Sequence, residues 1–148
     1  MKIVRTDSND KEFIRLVSEL DQMLAVINGE DHSFYNQFNT LTEIRNVILV
    51  YEGDTAIACG AFKKFDDTSC EIKRMFTEPS HRGRGYAGIV VDELEKWARE
   101  SGYRSVVLET SVKLESAVGL YRKKGYADTE KYGQYKDATD SMCFRKVL

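Results

Sequence analysis

Pro79, the one proline in the chain, separates two kinds of sequence, and that change constrains the fold more than any other feature. Before it run short apolar segments with turn signals between them. Val47-Ile48-Leu49-Val50-Tyr51 reads as a strand, Glu52-Gly53-Asp54 as a hairpin turn, Thr55 to Phe65 as the return strand, Asp66-Asp67 as the next turn, and Cys70 to Thr77 as a third strand. After it comes the glycine stretch His81-Arg82-Gly83-Arg84-Gly85-Tyr86-Ala87-Gly88, and then Tyr86 to Glu100 with a helical period. Ala87, Val90, Val91, Leu94, Trp97 and Ala98 mark the buried face of that helix. Asp92→Lys96 and Glu95→Arg99 read as i,i+4 pairs on its wet face, and Gly102 fits the position just past its end. An antiparallel meander thus hands over to a strand–helix–strand crossover.

The flanks complete the pattern. Lys2–Arg5 reads as a first strand. A helix begins at Asn9 or Asp10 and runs to about Ile27, with Phe13, Val17, Leu20 and Leu24 on one face. After the break at Asn28-Gly29-Glu30-Asp31, the segment His32 to Leu41 carries Phe34, Tyr35 and Phe38 at the spacing of a short second helix. Ser105 to Thr110 is a strand and Leu114 to Lys124 a helix stopped by Gly125. Strands near Ala127–Lys131 and Ser141–Val147 close the chain. The order β-α-α-β-β-β-α-β-α-β-β describes one α+β domain over residues 1–148. It has a mixed, mostly antiparallel sheet of about seven strands and about four helices.

Charge and composition exclude several classes. A net charge of −2 gives no global attraction to nucleic acid or to an anionic membrane. No apolar run approaches the ~20 residues of a membrane-crossing helix. The start, MKIVRTDSNDKEF, lacks the apolar core of a secretion signal. Cys59, Cys70 and Cys143 are an odd set without C-x-x-C spacing and read as reduced, partly buried thiols of a cytoplasmic protein. His32 and His81 have no metal-ligand spacing, so no metal is expected.

Gly83, Gly85 and Gly88 match the dinucleotide fingerprint G-x-G-x-x-G, with Glu109 at roughly the expected ~20-residue distance. The surroundings do not match. That fingerprint needs its first glycine at the tip of a strand and several further β-α units to complete a parallel sheet. Here Glu78 to Arg82 intervene after the strand, an antiparallel meander precedes the loop, and one helix and two strands follow Glu109. No G-K-[ST] follows either, which excludes a P-loop. Two readings of the loop remain: a plain tight turn with exposed arginines, or an anion site. In the second, glycines at a helix start leave backbone N–H groups free at the positive end of the helix dipole, where Arg82 and Arg84 add charge, and a phosphate or pyrophosphate fits there.

The same stretch contains Arg82-x-x-Gly85-x-Ala87, which follows strand Glu71-Ile72-Lys73-Arg74-Met75-Phe76-Thr77 and opens a helix. It resembles motif A, Q/R-x-x-G-x-G/A, of the GNAT superfamily of acetyl-CoA-dependent N-acyltransferases. A second block, Ala117-Val118-Gly119-Leu120-Tyr121-Arg122-Lys123-Lys124-Gly125-Tyr126, is similar to the family's A-x-x-L-Y-x-x-x-G-F with Tyr in place of Phe. The separation of the blocks and the element order also resemble the family's. The resemblance implies an acetyl-CoA site. The N–H groups of Gly83, Arg84, Gly85, Tyr86, Ala87 and Gly88, with Arg82, would hold the pyrophosphate. The backbone of Met75, Phe76 and Thr77 would pair with the pantetheine arm where strands 70–77 and 105–110 splay apart. The family often carries a cofactor-contacting Asn seven positions before the tyrosine. This chain has Leu114 there, so that contact is absent or is replaced by Ser111 or Ser116.

Acetyl transfer needs a neutral amine, a donor for the oxyanion and a proton for the departing thiolate. By the resemblance, Tyr121 is the general acid, and the N–H of Met75 or Phe76 is the oxyanion donor. Read only as a helix residue, Tyr121 fits core packing beside Leu120 equally. Two carboxylates compete as base. Glu71 is similar in position to the strand glutamate of the superfamily's histone acetyltransferases and is favoured. Glu109 is similar to the base of ribosomal-protein N-terminal acetyltransferases. A structural role is open for each, Glu71 pairing with Lys73 or Arg74 and Glu109 capping the next helix, and a water relay is open as well. The family grips its acceptor with segments equivalent to Gly29–Phe38 and Tyr132–Asp137. Their aromatic residues and Glu30, Asp31 and Asp137 suit a cationic amine with apolar surface, although a solvated loop has the same composition. The expected activity is acetylation of a small-molecule primary amine by direct attack in a ternary complex. A protein lysine or N-terminal acceptor and a non-catalytic acyl-CoA-binding module are the alternatives. A homodimer is compatible with the family.

Overall fold

The computed structural model describes residues 1–29 and 43–148. The short helix read at 32–41 and most of the acceptor segment 29–38 lie outside the described residues. The elements are β1 (Lys2–Thr6), α1 (Lys11–Asn28), β2 (Asn46–Glu52), β3 (Thr55–Lys64), β4 (Ser69–Thr77), α2 (Tyr86–Glu100), β5 (Ser105–Ser111), α3 (Glu115–Lys123), β6 (Ala127–Thr129) and β7 (Ser141–Val147). Short 3₁₀ turns lie at Pro79–His81 and Gly133–Tyr135.

The strands form one seven-stranded sheet in the order β1-β2-β3-β4-β5-β7-β6. All neighbours are antiparallel except β4 and β5, which run parallel. A parallel pair needs a long crossover, and α2 supplies it. Both faces of the sheet are covered, which is why Val47, Ile48, Leu49 and Val50 are all buried and why β2 reads as an unbroken apolar run. On one face α1 packs Phe13, Leu16, Val17 and Leu20 against Val47, Leu49, Cys59 and Ala61. On the other, α2 packs Val90, Val91, Leu94 and Ala98 against Ile48, Phe62, Ile72 and Val106, with Tyr121 of α3 in the same cluster. α1 starts where the Asp10 side chain accepts from the Glu12 N–H at 2.9 Å and stops at Gly29, whose φ of 54° suits glycine.

The meander carries one irregularity that shapes the site. Cys59 pairs with Phe76 and Ala61 with Lys73, so Gly60 stands opposite both Arg74 and Met75. This is a β-bulge on β4, and Arg74 takes a φ of 61° to make it. The extra residue reverses the facing of the strand. Ile72 packs with α2 and α3, yet Phe76, four residues on, packs with α1. Gly60 has to lack a side chain: a Cβ there would lie 2.5 Å from Met75 Sδ and 2.6 Å from Val90 Cγ1. The Arg74 guanidinium is buried and donates to Asp21 of α1 at 2.7 Å.

The structure corrects the reading of the wet face of α2. Glu95 is 3 % exposed. It accepts from the Tyr126 hydroxyl at 2.9 Å and pairs with Lys146 of β7 at 2.8 Å, while Arg99 stands off at 3.8 Å. Asp92 pairs with Lys124 beyond α3 at 2.9 Å rather than along its own helix. Helical periodicity placed both acids outside the apolar stripe, but α3 and β7 pack over that flank of α2. Strand β6 is also shorter than read, ending at Thr129, and residues 130–140 form a braced loop instead.

Candidate active site

Pairing between β4 and β5 runs from Ser69↔Ser105 to Ile72↔Leu108 and then stops. Both strands continue, to Thr77 and Ser111. Beyond Ile72 and Leu108 they diverge, so that the edge of Met75–Thr77 facing β5 has no strand partner among the described residues, and a cavity of about 140 Å³ opens between them. Leu20, Leu24 and Asn28 of α1 wall it on one side, and Ala117 and Tyr121 of α3 wall it on the other. The opening therefore passes through the sheet. Glu71, Lys73, Met75, Glu109, Ser111 and Leu114 also line it, together with Tyr135 from the 130–140 loop.

The three residues expected to be catalytic meet in this cavity. Tyr121 is 5 % exposed. Burial raises its hydroxyl above the ordinary phenol range, the negative charge of Glu109 adds to the rise, and no hydrogen bond to a described residue contributes. The phenol is thus protonated and available at neutral pH. Glu71 accepts from the Tyr132 hydroxyl at 2.7 Å. Glu109 accepts from the Ser141 hydroxyl at 2.8 Å. Burial raises the Glu109 carboxyl, against the pull of Ser141 and the charge of Lys73, with the charge of Glu71 adding to the rise. Burial lowers the Lys73 ammonium in turn, although the two glutamates oppose that. Lys73 lies within charge reach of both glutamates, but the Arg74 pairing and the helix cap are not what is found. Arg74 turns to Asp21, and α3 begins at Leu114 with no side-chain cap.

The glycine loop lies at the N-terminal end of α2. Gly83 and Gly85 have φ of 78° and 85°, and nothing lies within 4 Å of a Cβ built on either. No side chain caps the helix and no acid sits in its first turn, so the N–H groups of its first turn point outward without a side-chain acceptor. Ile89 is the first to bond back, to the Gly85 carbonyl. Gly88 faces α3, where a Cβ would meet Lys124 Cε at 3.2 Å. Arg82 folds back to the end of β4, donating to the Thr77 carbonyl at 3.0 Å and lying 5.5 Å over the Phe76 ring. Arg84 is exposed, Ala87 half-buried, and the Tyr86 hydroxyl donates to Glu52 at 2.6 Å. Of the two candidate replacements for the missing asparagine, Ser111 lines the cavity and Ser116 is exposed outside it.

Two neighbours of the glutamates carry no local signal: Ser141 reads as an ordinary strand residue, and Tyr132 as an acceptor-loop aromatic rather than a partner of Glu71. Only the sheet register reveals them: Ser141 pairs with Ser111, two places along β5 from Glu109, and Glu71 lies opposite Val107 on the face that the 130–140 loop covers. The three cysteines are free and buried, and burial pushes the thiols of Cys59 and Cys70 up to about 12, which leaves them unreactive. Among the described residues no group of three or more His, Cys, Asp or Glu could hold a metal ion, and no helix is long and apolar enough to cross a membrane.

A mixed sheet split between two parallel strands, with an uncapped glycine-started helix at one end of the split and a tyrosine facing carboxylates across it, defines an acyltransferase class. The chain belongs to the acetyltransferase (GNAT) family, whose family model matches residues 14–126. It is 30 % identical over 149 aligned residues to an IAA acetyltransferase of Azospirillum brasilense, covering 99 % of this chain and 97 % of that one. Among solved structures, a Klebsiella pneumoniae protein assigned as an acyl-CoA N-acyltransferase superposes with a TM-score of 0.82 at 24 % identity, covering 99 % of this chain and 97 % of that one. A GNAT family acetyltransferase of Elizabethkingia anophelis, solved with acetyl-CoA bound, superposes at 0.72 and 17 % identity over 99 % and 97 % of the two chains.

Proposed function

We propose that the chain transfers the acetyl group of acetyl-CoA to a primary amine of a small molecule, by direct attack in a ternary complex. The observation that carries this reading is the through-sheet cavity, with Tyr121 on the α3 side and Glu71 and Glu109 on the other. Acetyl-CoA would lie with its pyrophosphate against the N–H groups of Gly83 to Gly88, aided by Arg82 and Arg84, and its pantetheine arm along the unpaired edge of Met75, Phe76 and Thr77. A relative in fold that binds acetyl-CoA supports that assignment.

The step then balances as follows. The amine nitrogen attacks the thioester carbonyl, forming the N–C bond, and the backbone N–H of Met75 holds the oxyanion, since that of Phe76 is directed at the Cys59 sulfur. Glu71, directly or through water, takes the amine proton, with Glu109 as the competing base. The C–S bond breaks and the thiolate takes the Tyr121 proton, which the base restores to the phenolate. The products are the N-acetylated amine and the coenzyme A thiol.

Acceptor size is supported by the cover over the base. Tyr132 donates to Glu71 and Tyr135 lines the cavity, so the loop that carries them covers the base and favours a compact amine over a chain-borne lysine. The test follows free thiol release from acetyl-CoA with tyramine, spermidine and free lysine, against one peptide offering an internal lysine and another offering an N-terminal amine. The expected result is a higher kcat/KM for at least one small amine than for either peptide. Turnover of the peptides alone would make this a protein acetyltransferase, and tight acetyl-CoA binding with no turnover of any amine would favour a non-catalytic acyl-CoA-binding role.

A further inference from the structure

The base and the loop above it are joined at one residue. Tyr132 is held from four directions. Its N–H is hydrogen-bonded to the Cys143 sulfur of β7. Its ring meets Phe65, just past β3, at 4.8 Å and 71°, and Tyr135 at 5.8 Å and 84°. Its hydroxyl donates to Glu71 Oε2 at 2.7 Å. The loop that carries it is braced in turn. The Tyr135 N–H bonds to the Tyr132 carbonyl, Ala138 to Tyr135 and Ser141 to Ala138, and the Lys131 ammonium donates to the Ala138 carbonyl at 2.6 Å. A tyrosine that only walled a binding site would not need its hydroxyl fixed on a carboxylate. A hydroxyl fixed in this way occupies one carboxylate oxygen and leaves the other to receive a proton.

We propose that Tyr132 is a positioning residue for Glu71, holding that carboxylate in the orientation that accepts the amine proton, and that the 130–140 loop is thereby part of the catalytic apparatus. The inference rests on the reading of Glu71 as base. Glu109 is held by a separate hydroxyl, Ser141, carried on β7 itself. The two candidate bases therefore answer to different donors, and each can be disturbed alone.

The experiment measures kcat, acceptor KM and melting temperature for Tyr132→Phe, Glu71→Gln, the double variant and Ser141→Ala, using whichever of the amines above has the highest kcat/KM. Tyr132→Phe keeps the ring and removes the donor. It should lower kcat roughly ten-fold, the scale of one hydrogen bond to a charged group, with the acceptor KM unchanged. In the Glu71→Gln background the same change should cost nothing further, because the two residues act as one unit. Ser141→Ala disturbs Glu109 instead and should lower kcat by less than Tyr132→Phe does. Phe65→Leu, which loosens the ring but keeps the hydroxyl, should lower kcat in the same direction by less. Melting temperatures separate a kinetic loss from an unfolded sample, and Phe65→Leu keeps the test open if Tyr132→Phe folds poorly. The positioning role is overturned if Glu71→Gln is crippled while Tyr132→Phe has wild-type kcat. It is also overturned if the loss appears in acceptor KM alone, or if the two losses multiply in the double variant. Wild-type turnover by Glu71→Gln would instead overturn the underlying assignment of the base, as would a kcat loss confined to Ser141→Ala.

Discussion

Tyr121 combines two properties that ordinarily exclude each other: it is packed among the rings of Tyr126 and Phe144 at 5.8 and 6.4 Å, yet it lines a cavity. Core packing and the proposed acid role are therefore compatible, because the ring would serve the first and the oxygen the second. Removing the oxygen should separate them. Tyr121→Phe is expected to keep or slightly raise the melting temperature, since a buried hydroxyl without a partner among the described residues is costly. Acetyl-CoA affinity should be unchanged and kcat should fall roughly ten-fold or more, the lower range of acid catalysis. A donor with a more acidic thiol should narrow the gap, and steady-state kinetics with calorimetry would show both effects. Glu109 gives a second prediction, from pH. Burial holds its proton more tightly in the folded chain than in the unfolded one. Folding therefore takes up a proton as pH falls into the window between the unfolded and folded values, and stability drops as pH rises through it. Glu109→Gln removes the buried charge while leaving an oxygen for Ser141. It should raise the melting temperature at pH 7, and the gain should disappear below about pH 4, where the wild-type group is protonated in both states. A melting series across pH checks the sign.

At the scale of elements, the bulge in β4 and the buried acid of α2 do the positioning. Without the extra residue at Arg74, Phe76 would face α2, where Gly60, Met75 and Val90 already fill the space. With it, β4 turns from β5, and a cavity opens between the two strands. The Glu95 network sets the other wall. One carboxylate ties α2 to Tyr126 after α3 and to Lys146 of β7, and Tyr126 is in ring contact with Tyr121. Glu95→Ala would leave a buried tyrosine hydroxyl and a lysine without their acceptor. A stability loss of roughly 1–3 kcal/mol is expected by urea denaturation, on the scale of an unpaired buried polar group. Lys96, on the exposed side of the same helix, is the control, and Lys96→Ala should change stability by less than about 0.5 kcal/mol.

For the whole molecule, the proposed acetyl-CoA site would join the glycine loop at the start of α2 to the strand edge at the split in the sheet. Acetyl-CoA should accordingly raise the melting temperature by mass action, and NAD at equal concentration should leave it near that of the free protein. Gly85→Asp should abolish the shift. The position has open space but a φ of 85°, so the variant puts both backbone strain and a negative charge where the phosphates would sit. Gly85→Ala carries the strain without the charge and should retain part of the shift. Equal loss in both variants would mean that backbone conformation, not charge, is what matters at this turn.

Periodicity and turn chemistry are local properties, and they sufficed for most of the fold: the apolar run of β2, the stripe of α2, the glycine stops at Gly102 and Gly125, and the parallel crossover that follows from a helix between two strands. The two motif blocks likewise pointed to Tyr121, Glu71 and Glu109, which line one cavity, and to the glycine loop at the start of α2. The rest depends on elements remote in sequence. Glu95 looked solvated until α3 and β7 covered it, since a helical wheel does not record what packs on its flank. The bulge at Arg74 arises from the volume of Met75 and Val90 against Gly60, a three-element contact that no single-strand pattern displays. The partners of the two glutamates, Tyr132 from 61 positions away and Ser141 from 32, are set by sheet register and by the closure of a loop. Long-range hydrogen bonds of that kind exist only once the chain has packed.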